Sequence, residues 1–159
     1  MRIIGFPPVV NKSSKVIVLG SMPGIESLRV RQYYAHPRNQ FWGIMSRLLK
    51  YSNVEKYADK KRMVLKHRIA LWDVIDSCKR SGSLDSNLRD VKVNNFRRFL
   101  KRYPNIRTVF CNGQAAFKLF KWHCGSIDLP VFCLPSTSPA HAVPMNRKLR
   151  QWRRVQRFL

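Results

Sequence analysis

Short apolar runs alternate along this chain with longer segments in which apolar residues recur at helical spacing. We predict that four of the runs form buried strands, and the first of them is a β-branched run. They lie at residues 16–19, 69–72, 106–111 and 130–134. Helical segments separate the predicted strands, and this order predicts an α/β fold: a three-layer α/β/α sandwich around a four-stranded parallel sheet.

The segments between the predicted strands carry helical patterns. Phe41, Ile44 and Leu48 fall on one stripe of a helix that begins after Asn39. The chain shows no internal repeat and no low-complexity segment that would link two domains, so we expect one domain over residues 1–159. Further helices are predicted at 54–66, from a cap at Asn94 or Asn95 to Arg102, after Asn112-Gly113 through Ala116, Phe117 and Phe120, and beyond residue 144.

The loops that follow the predicted strands should gather at one edge of the sheet. They cover residues 20–38, 73–87, 112–114 and 135–144. In folds of this class, ligands bind outside the carboxyl ends of the strands. We therefore expect the functional site to be built from these loops.

The charge balance indicates the kind of partner. The chain has 31 Lys and Arg against 8 Asp and Glu, a net charge of +23, and no carboxylate side chain follows Asp128. This charge favours nucleic acid over an anionic membrane surface, although a generally basic proteome would also produce it. No apolar run approaches the roughly 20 residues that span a bilayer, and no signal-peptide pattern is present, so we expect a cytoplasmic protein.

The cysteines offer no metal pattern. Cys78, Cys111, Cys124 and Cys133 form no C-x-x-C pair, and their spacing fits neither zinc nor iron–sulfur sites. Cys111 and Cys133 lie in apolar runs, where a buried thiol is the simpler interpretation. We expect neither a metal nor a cofactor.

The turn at residues 20–24, Gly-Ser-Met-Pro-Gly, directly follows the first predicted strand. Glycine allows a close approach of the backbone to a ligand, and proline stiffens the turn. The segment is not a phosphate loop, because it contains neither of the nucleotide-binding patterns G-x-x-x-x-G-K and G-x-G-x-x-G. Ser21, Met22 and Gly24 are candidate base-binding residues, although such a turn often only connects a strand to a helix.

A second candidate segment, residues 33–39, reads Tyr-Tyr-Ala-His-Pro-Arg-Asn. An enzyme that takes a base out of a duplex needs a ring to stack it and fixed polar groups to read it. Tyr34, with Phe41 nearby, could supply the stacking face, and Asn39 could bind a base edge or position a water. The alternative is that one of the tyrosines belongs to the core and that Asn39 only caps a helix.

A third candidate segment, residues 134–142, follows the last predicted strand. Its small hydroxyls and two prolines suit a stiff loop that contacts phosphates or wedges into a duplex. The alternative is an ordinary surface turn with an incidental histidine. The candidate DNA-binding residues are Ser136, Thr137, Ser138 and His141, with Arg147 from the following basic helix.

These segments together resemble the uracil-DNA glycosylase superfamily, most closely its hypoxanthine-DNA (deoxyinosine) glycosylases. The resemblance lies in GSMPG at 20–24, QYYAHPRNQFW at 32–42 and PSTSPAHA at 135–142. It implies an α/β/α fold and an enzyme that flips a damaged base out of DNA and hydrolyses its N-glycosidic bond without metal or cofactor. It also implies that Asn39 is the catalytic residue and that Tyr34 stacks on the base.

Two positions depart from the family pattern. Met22 stands where the mismatch-specific branch has an asparagine that positions water, and His141 stands where the deoxyinosine branch tends to have asparagine. The resemblance thus implies a monofunctional enzyme for hypoxanthine, since no lysine is present in either motif for lyase chemistry. A uracil or mismatch-specific glycosylase and a non-catalytic DNA-binding module are the alternatives.

Two further expectations concern the carboxylates and the partners. Glu26 and Asp73 are the carboxylates near the predicted edge, and we expect a structural role for Asp73 at its strand end. We expect a monomer that acts on double- or single-stranded DNA carrying a flipped damaged base, without membrane association.

Overall fold

The computed structural model describes residues 1–159, and it contains two sheets flanked by helices. Among the helices, none is both long and apolar enough to cross a lipid bilayer. The strands are β1 (Ile3–Ile4), β2 (Val16–Gly20), β3 (Ile69–Asp73), β4 (Ile75–Lys79), β5 (Arg89–Val93), β6 (Thr108–Asn112) and β7 (Val131–Leu134). The α-helices are α1 (Ile25–Val30), α2 (Phe41–Leu48), α3 (Tyr57–Lys66), α4 (Phe96–Arg102), α5 (Gln114–Cys124) and α6 (Met145–Trp152).

The central sheet is parallel and has the strand order β3-β2-β6-β7. All five residues of β2 are buried, because helices cover both faces of the sheet. Val16 and Val18 pack into one apolar cluster with α2, α3 and α6. Ile17 and Leu19 point to the opposite face and pack with α4 and α5. The predicted three-layer sandwich around a four-stranded parallel sheet is therefore confirmed.

Parts of the loop predictions were wrong. Residues 75–79 form β4, the middle strand of a second, antiparallel sheet with the order β1-β4-β5. Its pairing with β5 contains register shifts, so its sequence lacks the alternation that would have revealed a strand. The short helix α1 also lies inside the predicted loop 20–38. In contrast, Asn95 caps α4 as predicted, accepting a hydrogen bond from the Arg98 N–H at 3.0 Å.

The register of the parallel sheet decides which residues meet at its carboxyl edge. Gly20 at the end of β2 pairs with Asp73 at the end of β3. Asn112 at the end of β6 pairs with Leu134 at the end of β7. The segments that follow all four strands therefore begin at the same level, as expected for a ligand-binding edge.

Trp152 joins the last helix to this edge. Its side chain is fully buried, lies edge-on to Phe41 with ring centroids 5.8 Å apart, and donates a hydrogen bond from Nε1 to the Pro135 carbonyl at 2.9 Å. The contact fixes the segment after β7 against the layer that contains α2 and α6.

We expect Trp152→Ala to lower the free energy of unfolding by about 3–5 kcal/mol, because it leaves a large cavity in the core. Urea unfolding measures this change. Trp122 on α5 is 85% exposed, and Trp122→Ala is the matched control with an expected change within about 0.5 kcal/mol. Equal effects of the two substitutions would contradict the anchoring role of Trp152.

Position 20 requires glycine because the Asp73 side chain lies very close to its Cα. A Cβ atom on Gly20 would overlap the Asp73 carboxylate, whereas a Cβ on Gly24 would meet Ser83 Oγ at an ordinary 3.5 Å. We expect Gly20→Ala to cost about 1–3 kcal/mol of stability through this overlap, and Gly24→Ala to cost less. In a background that carries Asp73→Ala, the cost of Gly20→Ala should shrink, which a double-mutant cycle of unfolding free energies measures. An unchanged cost in that background would refute the explanation.

Candidate active site

A cavity of about 180 Å³ opens at the carboxyl edge of the central sheet. Its walls come from the turn after β2, the ends of β3 and β6, residues 33–39 and the segment after β7, so three of the predicted segments meet there. The predicted site residues that line it are Ser21, Met22, Gly24, Tyr34, Asn39, Ser136, Thr137 and Ser138.

The aromatic wall of the cavity is Tyr34, stacked on Phe41. The two ring centroids are 3.9 Å apart with an angle of 25° between the ring planes, and the Tyr34 backbone has a φ of 57°. This left-handed conformation is uncommon for a bulky residue and occurs mostly where the surroundings enforce it. Phe41 covers one face of the Tyr34 ring, and Tyr34 itself lines the cavity.

The prediction that Phe41 contacts the base is wrong. Phe41 is fully buried as the first residue of α2 and lies outside the cavity wall. It supports the Tyr34 ring from behind. Of the two adjacent tyrosines, Tyr33 takes the core position that the alternative interpretation allowed: it is 3% exposed, and its hydroxyl donates to the Pro7 carbonyl at 3.1 Å.

Asn39 lies in the wall and also contacts the start of α2. Its Oδ1 accepts a hydrogen bond from the Phe41 N–H at 3.0 Å. The N-cap of α2 is Gln40, so Asn39 is not the cap that the alternative assumed; it lies one residue earlier, and its bond to the Phe41 N–H orients the amide group. An amide oxygen has a second lone pair and the amide nitrogen carries two donors, so Asn39 retains hydrogen-bonding capacity toward the cavity.

Thr137 is a structural residue, and its predicted contact with DNA is wrong. Its side chain is 0% exposed and accepts a hydrogen bond from Asn112 Nδ2 at 2.9 Å. Its backbone N–H donates to Asn112 Oδ1, also at 2.9 Å. This double link fastens the segment after β7 to the end of β6. Ser136 and Ser138 remain partly exposed in the same wall.

His141 and Arg147 are exposed and lie outside the cavity. Their contacts with DNA therefore remain predictions. Lys148 differs from its basic neighbours because it is only 1% exposed, and its Nζ donates to the His141 carbonyl at 2.7 Å. Burial lowers the pKa of this lysine, which holds the loop rather than adding to the basic surface.

The turn after β2 is held by residues 80–85, which belong to the predicted edge loop 73–87. Ser21 Oγ donates to Asp85 at 2.6 Å, the Ile25 N–H donates to Ser83 Oγ at 2.9 Å, and the Arg80 guanidinium donates to the Pro23 carbonyl. Within this turn, the N–H groups of residues 21, 22 and 24 have no backbone acceptor. These donors are available to a group that carries negative charge.

Asp73, for which the sequence predicted a structural role, ends β3 in the cavity wall. It is 3% exposed, and its Oδ2 is buried without a hydrogen-bond partner. No hydrogen bond at Oδ2 therefore supports the expected structural role. Burial raises the pKa of Asp73 to about 7; the Asp85 carboxylate adds to the rise and Arg80 opposes it. Glu26, by contrast, pairs with Arg29 at 2.6 Å. In the sequence, Asp73 is marked by its position directly after an apolar predicted strand.

Comparisons with known proteins agree with this architecture. The family model of the uracil DNA glycosylase superfamily matches residues 7–158. A hypoxanthine DNA glycosylase from Methanosarcina acetivorans is 32% identical over 154 residues, 96% of this chain and 97% of its own length. A second, from Methanosarcina barkeri, is 34% identical over 115 residues, 72% of this chain and 73% of its own length.

A solved structure extends the likeness to the fold. The solution NMR structure of a candidate uracil DNA glycosylase from Methanosarcina acetivorans superposes with a TM-score of 0.86 at 30% identity, and the match covers 99% of this chain and 98% of that one. The family match, the relatives and the shared fold lead to one conclusion: the chain belongs to the uracil DNA glycosylase superfamily.

Proposed function

We propose that the protein is a monofunctional DNA glycosylase that removes hypoxanthine from deoxyinosine in DNA. The relatives named as hypoxanthine DNA glycosylases support the choice of base. We propose further that it acts as a monomer on a base flipped out of the helix, because one chain supplies every wall of the cavity.

The observation that carries this proposal is the pairing of a flat aromatic face with polar walls in one small cavity. An extruded base needs a stacking surface and fixed hydrogen-bonding groups. The Tyr34 ring in the cavity wall supplies the first, and Asn39 and the turn after β2 supply the second. The cavity lies at the sheet edge where ligands of this fold class bind.

The chemistry needs stabilisation of two developing charges. As the bond between C1′ and N9 breaks, the sugar gains positive charge and the leaving base gains negative charge. The phosphates of DNA stabilise the sugar cation, and the N–H donors of residues 21, 22 and 24 stabilise the base. Asn39 orients the water whose oxygen bonds to C1′, and the proton released by that water leaves with the base.

The charge of the protein suits the DNA around that base. The chain carries a net charge of +23, and α6 follows directly on the segment that lines the cavity. Lysine and arginine contacts to phosphates give binding that does not depend on sequence and weakens with salt. The exposed arginines of α6 and of the 3₁₀-helix Arg153–Phe158 that follows it are Arg147, Arg150, Arg153, Arg154 and Arg157.

Oligonucleotides that contain inosine, uracil, xanthine or a G·T mismatch test the proposal. After incubation with the protein, alkali cleaves the strand wherever an abasic site has formed. We expect cleavage at inosine. Cleavage at uracil or G·T alone would favour the uracil or mismatch-specific alternative, and binding without cleavage of any substrate would favour a DNA-binding module.

We expect Asn39→Ala to lower the single-turnover rate on inosine DNA by at least about 100-fold, because the attacking water loses its orientation. The chain offers a matched control in Asn95→Ala, which removes a similar hydrogen bond at the start of α4. Both substitutions should cost about 1 kcal/mol of stability, but only the first should impair excision. A near wild-type rate for Asn39→Ala would place the catalytic group elsewhere, with residues 136–141 the next candidates.

We expect Tyr34→Ala to reduce excision by about 5–150-fold, the equivalent of about 1–3 kcal/mol of base stacking, while binding to undamaged DNA persists. Tyr34→Phe retains the ring and should retain most activity. Tyr103→Ala, which removes a half-buried tyrosine from the opposite layer, controls for loss of packing. A broad loss of thermal stability in Tyr34→Ala that accounts for its lost excision would identify Tyr34 as a core residue instead.

A further inference from the structure

The cavity contains one buried ionisable group that the mechanism above does not use. Asp73 ends β3 in the cavity wall, its residue is 3% exposed, and its Oδ2 has no hydrogen-bond partner. Buried polar atoms in proteins are nearly always hydrogen-bonded, because a buried atom without a partner has lost its hydrogen bonds to water. An unpartnered carboxyl group in a ligand cavity indicates that the ligand completes its hydrogen bonds.

Asp73 lies close to the ring proposed to stack on the base. The position of a Cβ on Gly20 overlaps the Asp73 carboxylate and lies 3.5 Å from the Tyr34 hydroxyl. The Asp73 and Tyr34 side chains therefore both lie beside Gly20. The Tyr34 hydroxyl is buried at the same place, beside the Asn112 side chain. A planar base stacked on the Tyr34 ring in the cavity would bring one of its edges to this pair of groups.

The edge that deamination creates has a defined hydrogen-bonding pattern. In hypoxanthine the N1–H donor stands beside the C6=O acceptor. A neutral carboxylic acid presents the complementary pair, one O–H donor and one carbonyl acceptor. Building on the proposed function, we propose that Asp73 in its neutral form pairs with this edge, donating to C6=O and accepting from N1–H.

The surroundings of Asp73 favour the neutral acid. Burial is the main cause of its raised pKa of about 7, and the nearby charged groups, Asp85 and Arg80, act in opposite directions. Burial is the main cause of the raised pKa values of Tyr33, Tyr34 and Tyr57, and the charge of a nearby ionised Asp73 would add to each rise. A neutral O–H at C6=O stabilises the negative charge of the leaving base, whereas an ionised carboxylate would repel it.

Single-turnover rates on inosine DNA, measured from about pH 5 to pH 9, test the inference. The wild-type rate should fall as the pH rises through about 7, because the acid loses the proton that it donates. Asp73→Asn keeps one donor and one acceptor, so it should retain the rate at low pH within about 10-fold and lose the alkaline fall. Asp73→Ala should lose about 10–100-fold at low pH while DNA binding persists. Asp76→Asn, which removes an exposed carboxylate nearby, should resemble wild type.

A second measurement uses the wild-type protein, so it does not depend on how the variants fold. A site that carries unsubstituted purine lacks both C6=O and N1–H. It should be cleaved slowly and without the alkaline fall, because Asp73 has no edge to pair with.

The outcomes separate the two proposals. Wild-type protein that leaves inosine uncleaved at every pH would overturn the proposed function, and the role of Asp73 with it. Wild-type cleavage with an equally active Asp73→Ala would overturn the role of Asp73 alone. So would a folded Asp73→Asn as inactive as Asp73→Ala, an alkaline fall that persists in Asp73→Asn, or the same fall on the unsubstituted purine.

Discussion

The parallel pairing of β2 with β3 is the constraint on which the rest of the site depends. Its register sets Gly20 opposite Asp73, and the pairing of β6 with β7 brings Asn112 and the segment after Leu134 to the same level. Both faces of β2 are covered by helices, so a shift of one residue would move its buried side chains into the wrong clusters. The apolar core therefore fixes the positions of the polar groups at the carboxyl edge.

The loops at that edge are held by hydrogen bonds between groups distant in sequence. Asn112 binds Thr137 twice, Trp152 binds the Pro135 carbonyl, and Ser21 binds Asp85. Each link uses a side chain that is wholly or partly removed from water, where an unmade hydrogen bond is costly. The loops are thus set before a ligand arrives, and a preformed cavity loses less conformational entropy on binding.

The sequence predicted the central sheet because short continuous apolar runs are typical of strands buried on both faces. It also located Tyr34, Asn39 and the turn after β2 at the cavity. It could not separate Phe41 from Tyr34, because both are aromatic and their exposure depends on the left-handed backbone at Tyr34. Thr137 could not be told apart from its partly exposed serine neighbours in the sequence. Its side chain is bound by Asn112, which is 25 residues away. The strand β4 was missed because its irregular pairing breaks the alternation of its side chains.

The protonation of Asp73 has a consequence for the free energy of folding. Its pKa rises from 3.8 to about 7 on folding, so the folded chain binds the proton more tightly than the unfolded chain. The stability associated with that proton is complete below the unfolded value and is lost as the pH rises toward about 7, so the ionised side chain disfavours the fold above it. Asparagine at this position would avoid the ionisation. An aspartate that is buried, unpartnered at Oδ2 and costly when ionised is therefore not explained by stability, and its place in the cavity wall supplies the functional reason for it.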